Sequence, residues 1–107
     1  MSRFIVSILP RAELDLATVS EWLHNHSPQG AANWLSAFGR TVEQLTLNPA
    51  IFGSAPESVP LERTIKQAIF KTRRGKNYRI VFVVEGSKVF ILRVRGPGEP
   101  LLQADEL

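Results

Sequence analysis

Cysteine is absent from the 107-residue sequence, which excludes disulfide bonds and thiolate metal sites and fits a reducing compartment. Long apolar runs are absent too, because no stretch approaches the roughly 20 apolar residues of a membrane-spanning helix. The first nine residues form one strand-length apolar segment before Pro10, too short for the core of a secretory signal. We therefore expect a cytoplasmic protein that does not enter a membrane.

Positive charge is scarce in the first half of the chain and concentrated in the second. Residues 1–60 contain three basic and five acidic residues, whereas residues 61–95 contain ten basic and two acidic ones. The chain length suits one hydrophobic core, so we expect a single domain over residues 1–107. A basic segment in such a domain is either a solvated face or a surface for nucleic acid or an acidic protein.

Two helices with apolar faces are predicted in the first half. From Ala12 to Leu23 the apolar residues recur at intervals of three and four, which places them on one helical face. Ser27-Pro28 has the form of a helix start, with a serine cap and proline in the first turn. Asn48-Pro49 ends the second helix. The short connection between the helices predicts an antiparallel helical hairpin.

Four strands are predicted, at Arg3–Ile8, Thr64–Lys71, Tyr78–Val84 and Val89–Val94. Gly75 and Gly86 lie in the last two connections, where a positive φ would suit tight hairpins. Two prolines prevent residues 96–107 from continuing a strand, so this segment is expected to be an irregular tail. The predicted fold class is α+β: an N-terminal strand, an α-helical hairpin and a three-stranded antiparallel meander, with the helices packed on one face of the sheet.

Alternation along the strands assigns side chains to the two faces of the sheet. Arg79 should share a face with Val81 and Val83, and Arg93 should share one with Val89 and Ile91. Both arginines then lie among apolar side chains, unlike ordinary surface charges. Each is either a packed residue that hydrogen-bonds within the protein or a cation that binds an anion.

Short segments in a common order and spacing connect nearly the whole sequence with a known family. The segments are Pro10-Arg11-Ala12, Asp15-Leu16, Trp22-Leu23, Ser27-Pro28, Ala31-Ala32, Leu45–Pro49, Tyr78-Arg79-Ile80 and Ile91–Val94. No single one is specific, but together they resemble the ParE/RelE toxins of bacterial toxin–antitoxin modules. The resemblance implies the fold described above and a cytoplasmic growth inhibitor held inactive by a cognate antitoxin. It leaves open a dimer or a heterotetramer with the antitoxin.

The resemblance implies one of two activities. RelE-like members cut mRNA in the ribosomal decoding site, whereas ParE-like members lack nuclease activity and poison DNA gyrase. RelE-like toxins without a catalytic histidine use two lysines, two arginines and a late tyrosine. Only Arg79 matches this set, because the other positions fall near Gln67, Ile69, Pro97 and Gln103.

Proton transfer decides between the two activities. No histidine or tyrosine follows Tyr78, and an arginine does not transfer protons because its pKa stays above 12. The sequence therefore favours a ParE-like toxin that is not an enzyme and acts on DNA gyrase. The alternatives are a ribosome-dependent mRNA endonuclease that uses Arg79, and an inactive or repurposed basic binding module.

Seven cations form the predicted surface for an antitoxin or a target. They are Lys71, Arg73, Arg74, Lys76, Arg79, Arg93 and Arg95. The other interpretation of the first four is a solvated hairpin tip. Trp22 and Trp34 are expected to pack where the two helices meet. Two histidines without a third ligand do not define a metal site, so no metal or cofactor is expected. The acids early in the first helix suit its dipole: Glu13, Asp15 and Glu21.

Overall fold

The computed structural model describes residues 3–107, so Met1 and Ser2 of the predicted domain lie outside it. Its elements follow the predicted order. They are β1 (Ile5–Ile8), α1 (Pro10–His26), α2 (Pro28–Leu47), β2 (Lys66–Phe70), β3 (Tyr78–Glu85) and β4 (Lys88–Arg95). The predicted α+β fold class is confirmed. Helix α1 extends beyond the apolar periodicity of Ala12–Leu23 and continues to His26.

The four strands form one mixed sheet in the order β1-β4-β3-β2. β1 is parallel to β4, while β2, β3 and β4 form the predicted antiparallel meander. The helical hairpin carries the chain from β1, at one edge, over the sheet to β2, at the other edge. β3 and β4 therefore lie in the interior of the sheet.

A single residue, Ser27, joins the two helices. Its backbone N–H donates to the carbonyl of Leu23 and ends α1, and its Oγ accepts from the N–H of Gly30 at 3.0 Å and caps α2. Pro28 then occupies the first turn of α2, as predicted. No helix within residues 3–107 is both long and apolar enough to span a membrane.

Apolar side chains are buried on both faces of the sheet. On the helix face, the hairpin packs on side chains that include Phe70, Ile80 and Phe82. On the far face, Val81 and Val83 pack against residues from the loop after α2 and from the C-terminal segment. The sheet therefore has a cover on each face, and the C-terminal segment contributes Leu102, which is buried, to the second cover.

A β-bulge changes the predicted facing of Arg93. The register between β3 and β4 shifts, so Phe82 pairs with Ile91 whereas Val81 pairs with Arg93. Directly paired residues project from the same face, so Arg93 lies on the far face with Val81. The prediction that Arg93 shares a face with Val89 and Ile91 is wrong, because strict alternation fails at a bulge. The predicted facing of Arg79 with Val81 and Val83 is confirmed.

The two connections of the meander differ: the one between β3 and β4 is a tight hairpin, and the one between β2 and β3 is a longer loop. Gly86, between Glu85 and Lys88, has a φ of 61° and forms a tight hairpin, as predicted. Residues 71–77 instead form a seven-residue loop, in which Gly75 has no positive φ. A Cβ at Gly75 would lie 2.3 Å from the hydroxyl of Thr72. A side chain at position 75 would therefore require the Thr72 hydroxyl to move, while the backbone there does not call for a positive φ.

We predict opposite effects of one substitution at two glycines. Gly86→Ala should lower the free energy of unfolding by about 1 kcal/mol, because a left-handed backbone disfavours a Cβ. Gly39→Ala should raise it by up to about 1 kcal/mol, because Gly39 lies within α2 with open space around its Cα. Urea unfolding followed by circular dichroism measures both, and two changes of the same sign would contradict the assignment.

Candidate functional site

Arg79 is held on the far face by a buried glutamate. Its Nη1 and Nη2 donate to the two carboxylate oxygens of Glu57 at 2.8 and 2.5 Å, and Nη1 lies 3.3 Å from Oε1 of Gln67. The side chain of Glu57 is 0% exposed and that of Arg79 is 14% exposed. This parallel two-bond geometry commits both terminal nitrogens of Arg79 to Glu57.

Glu57 is ionised in the interior of the protein. Burial alone would raise its pKa, but hydrogen bonds from Arg79 and from backbone N–H groups, including that of Leu102, outweigh burial and lower its pKa to about 2. The Leu102 N–H lies 3.0 Å from Oε2 of Glu57. One carboxylate therefore joins the loop after α2, the third strand and the C-terminal segment.

Arg93 is paired in a similar way. Its Nε and Nη2 donate to the carboxylate of Asp15 at 2.8 and 3.0 Å, and its Nη1 donates to the carbonyl of Glu106 at 2.7 Å. The hydrogen bonds from Arg93 to Asp15 raise the pKa of the guanidinium. Asp15 also accepts from the N–H of Val94 at 2.9 Å. Its carboxylate therefore binds the backbone of β4 beyond Ile91, where the pairing of β4 with β1 ends.

Arg95 lies directly across from Arg79 in the sheet and is also buried. Its Nη2 donates to the carbonyl of Pro100 at 2.8 Å, and its Nη1 is 3.6 Å from the carboxylate of Glu99. Arg11 adds a hydrogen bond from its Nη1 to the carbonyl of Asp105. Arg11, Arg93 and Arg95 thus attach the C-terminal segment, residues 98–107, directly to the rest of the protein. Arg79 does so indirectly, because Glu57 binds both Arg79 and the N–H of Leu102.

A large open cleft lies where the two helices join, beside the turn after β4 that also lies near Arg95. Its volume is about 1010 Å³. The walls come from the end of α1, the start of α2, the 71–77 loop and the turn after β4. The lining residues include Val19, Trp22, Leu23, Asn33, Trp34, Arg73, Arg74, Lys76, Tyr78, Pro97 and Glu99. The cleft therefore combines an apolar, aromatic interior with cations along one wall.

The cations of the 71–77 loop are exposed and available. Lys71, Arg73, Arg74 and Lys76 are all exposed, and none of them makes an ion pair within residues 3–107. Arg73, Arg74 and Lys76 line the cleft. Among the residues that line the cleft, Glu99 on the turn after β4 carries a carboxylate. This carboxylate does not pair with the loop cations but accepts from the N–H of Gly96 at 2.5 Å.

The two tryptophans of the cleft differ in burial. Trp34 is 3% exposed and packs against Phe38, Phe70 and Tyr78 at ring-centroid distances of 6.5, 5.5 and 5.2 Å. Its indole N–H is buried and has no partner within the described residues. Trp22 is 58% exposed and stacks only with His26, at 4.2 Å. Trp34 is therefore buried, with ring contacts to its own helix and to the sheet, whereas the packing predicted for Trp22 fails because that residue is exposed.

Comparison with known proteins gives a family. Residues 6–99 match the model of the ParE toxin of the type II toxin–antitoxin system parDE. This chain belongs to the ParE toxin family. A search of curated proteins found no match. The expected resemblance to the ParE/RelE toxins is thereby confirmed, and membership of this family implies a toxin with a cognate antitoxin partner.

In this ParE toxin the seven predicted site cations fall into two groups on different surfaces. Arg79, Arg93 and Arg95 lie on the far face and are bound by acids or carbonyls of the same chain. The other four, from the 71–77 loop, are exposed to solvent. The structure therefore does not bring the seven residues together into one site. Their role in binding an antitoxin or a target stays a prediction.

Sequence reasoning missed the partners of these arginines. Glu57 lies in the loop before β2 beside a proline, where no periodicity marks it as buried. Asp15 was interpreted as an acid that suits the helix dipole, and its contact with Arg93 spans 78 residues. The available signal was the burial predicted for Arg79 and Arg93, since a buried cation requires a counter-charge.

We predict that Glu57→Gln destabilises the fold strongly. The substitution keeps the side-chain shape but leaves Arg79 partly buried without its counter-charge, which should cost about 3–4 kcal/mol at neutral pH. Glu62→Gln, at an exposed position of the same loop, is the matched control and should change stability by less than about 0.5 kcal/mol. Equal urea midpoints for the two variants would contradict a stabilising role for the ion pair.

The stabilisation of the fold by ionised Glu57 should decrease as the pH falls. The pKa of Glu57 in the folded protein, about 2, is below its ordinary value of 4.5. Its contribution is therefore complete above pH 4.5 and is lost as the pH falls toward 2. The difference in unfolding free energy between the wild type and Glu57→Gln should shrink over this range in urea titrations. Parallel pH profiles would show that Glu57 is not the group responsible.

Proposed function

We propose that this chain is a ParE-like toxin that arrests growth by acting on DNA gyrase in the cytoplasm, does not cleave RNA, and is neutralised by its antitoxin. Its membership of the ParE family supports the toxin role. Gyrase is the target that the sequence resemblance implies for ParE-like members. The observation that carries the non-nucleolytic part of the proposal is the ion pair between Arg79 and Glu57.

Cleavage of RNA through its 2′-hydroxyl requires a base, an acid and a cation beside the phosphate. Arg79 is the one residue that matches the RelE-like set, and both of its terminal nitrogens bind Glu57. A phosphate could reach only the N–H groups that Glu57 and Gln67 leave unoccupied, on a side chain that is 14% exposed. In this protein Arg79 is therefore better explained as a structural cation than as a catalytic one.

The C-terminal segment adds a second obstacle to nuclease activity. Leu102 is buried against the far face, and its N–H binds the same carboxylate that binds Arg79. The segment also contains no histidine or tyrosine to act as an acid or a base. The C-terminal segment thus covers part of the surface that carries Arg79.

The proposal predicts inhibition of gyrase without loss of RNA. The purified chain should inhibit supercoiling by DNA gyrase in vitro, and induced expression should stop growth and trigger a DNA-damage response. The same protein should leave mRNA intact in a translating extract. Cleavage of ribosome-bound mRNA by the purified wild-type chain would overturn the proposal in favour of a RelE-like endonuclease. Normal growth and uninhibited gyrase would instead indicate an inactive or repurposed binding module.

Neutralisation predicts a stabilised complex. An antitoxin binds the folded toxin and not the unfolded chain, so a partner present at 1,000 times its Kd should stabilise the toxin by about 4 kcal/mol. Co-expression with the protein encoded beside the toxin gene should therefore restore growth and raise the melting temperature measured by calorimetry. A complex that melts no higher than the free chain would contradict this prediction.

A further inference from the structure

The 71–77 loop has a composition suited to binding an anion. All of its cations are exposed, and none of them makes an ion pair within residues 3–107. The arginines that hold the fold together lie elsewhere, in α1, β3 and β4. The loop consists of four cations, one glycine and two polar residues: Lys71, Thr72, Arg73, Arg74, Gly75, Lys76 and Asn77.

This composition favours a phosphate backbone over a protein as the ligand of the loop. The core of a protein interface is depleted of charge and is filled by large apolar or aromatic anchors, and the loop itself contains none. Contacts to phosphates are made by arginine and lysine together with hydroxyl, amide and backbone N–H groups. Thr72, Asn77 and Gly75 supply these three further kinds of donor.

The acid beside the loop does not neutralise it. Glu99 lines the same cleft as Arg73, Arg74 and Lys76. Its carboxylate accepts from the N–H of Gly96 at 2.5 Å and lies 3.6 Å from Nη1 of Arg95, whose positive charge offsets it. Because the loop is exposed, a nucleic acid reaches the loop cations from the solvent side, outside the apolar cleft.

We propose that the 71–77 loop binds the phosphate backbone of duplex DNA, and that the toxin thereby contacts the DNA on which gyrase acts. The second half of this inference rests on the proposed action on gyrase, whereas DNA binding rests on the loop alone. Contacts to phosphates carry no sequence information, so the loop binds duplexes of any sequence. The loop thus gives the toxin a higher affinity for gyrase with DNA than for gyrase without DNA.

The size of the loop sets the number of phosphates that it contacts. Lys71 and Lys76 are five residues apart in sequence, so the chain between them spans at most about 17 Å. One strand of duplex DNA carries a phosphate about every 3.4 Å along the helix axis, so four cations over this span suit about four phosphates. Four such contacts predict that the logarithm of the binding constant falls with the logarithm of the salt concentration with a slope of about −3.6.

Fluorescence anisotropy of a labelled duplex of about 20 base pairs measures this slope for the full-length toxin between about 0.03 and 0.1 M NaCl. The wild type alone tests the predicted value of about −3.6. In the loop variant, Arg73→Gln, Arg74→Gln and Lys76→Gln are combined. Its slope should fall to about −0.9, because Lys71 remains and each lost cation removes about one unit.

A matched control separates the loop from the net charge of the chain. The control variant combines Arg40→Gln, Arg63→Gln and Lys88→Gln, which removes the same three charges at exposed positions outside the loop. Its slope should stay within about 0.5 of the wild-type slope, because none of these cations belongs to the proposed contact. Both variants should melt at the wild-type temperature by circular dichroism, since exposed charges contribute little to stability.

Inhibition of supercoiling tests whether the loop contacts DNA in the gyrase complex. The loop variant should need at least about tenfold more protein than the wild type for half inhibition, because it loses three of the four phosphate contacts. The control variant should need no more than about twofold more. Equal inhibition by the two variants would show that the loop does not contact DNA in the complex.

Three results would overturn DNA binding by the loop. They are no binding of the duplex at about 0.03 M NaCl, equal slopes for the two triple variants, and polyglutamate that binds as tightly as the duplex, which would indicate an acidic protein as the ligand. If the wild type binds DNA with the predicted slope but does not inhibit gyrase, the proposed function fails and DNA binding by the loop stands. If the wild type inhibits gyrase but does not bind DNA, only this inference fails.

Discussion

The buried carboxylate of Glu57 is the contact on which the far side of this fold depends. A four-stranded sheet with a helical hairpin on one face has a second face that must also be covered, because Val81 and Val83 project from it. Neither covering segment contains a long helix or strand of its own. Glu57 binds Arg79 and the N–H of Leu102 together, so it fixes both segments at one point. A loop and a tail thereby act as a second layer.

The pairing of arginines with acids of the same chain explains why the cations between residues 71 and 95 have different roles. Arginine is suited to buried pairs because its planar group makes two parallel hydrogen bonds to a carboxylate. Arg79 and Arg93 each make such a pair, and Arg93 adds a contact to the C-terminal segment. A cation used in this way stabilises the fold but is less available to a ligand. The 71–77 loop, by contrast, carries four exposed cations that make no ion pair among residues 3–107.

Local sequence signals predicted the framework, but they could not predict the contacts that cover the far face. The Ser27-Pro28 cap and the apolar spacing identified the hairpin, because caps and helical faces are encoded within a few residues. The bulge that turns Arg93 to the far face has no comparable local signal. The pairing of Glu57 with Arg79 depends on tertiary placement, since a loop acid beside a proline has the composition of an exposed turn. The cleft was also missed, because its walls come from four separate segments.

The distribution of acids connects fold with function. The C-terminal segment carries three acids, which could have neutralised the basic loop. Instead, Glu99 binds Gly96 and lies near Arg95, and Glu106 accepts from the N–H of Gln103 and caps the last turn. These contacts hold two of the acids within the tail and away from the loop. The toxin thus folds with Arg79 and Arg93 each paired to a carboxylate, whereas the cations of the 71–77 loop make no ion pair among residues 3–107 and lie beside an exposed tryptophan and an apolar cleft.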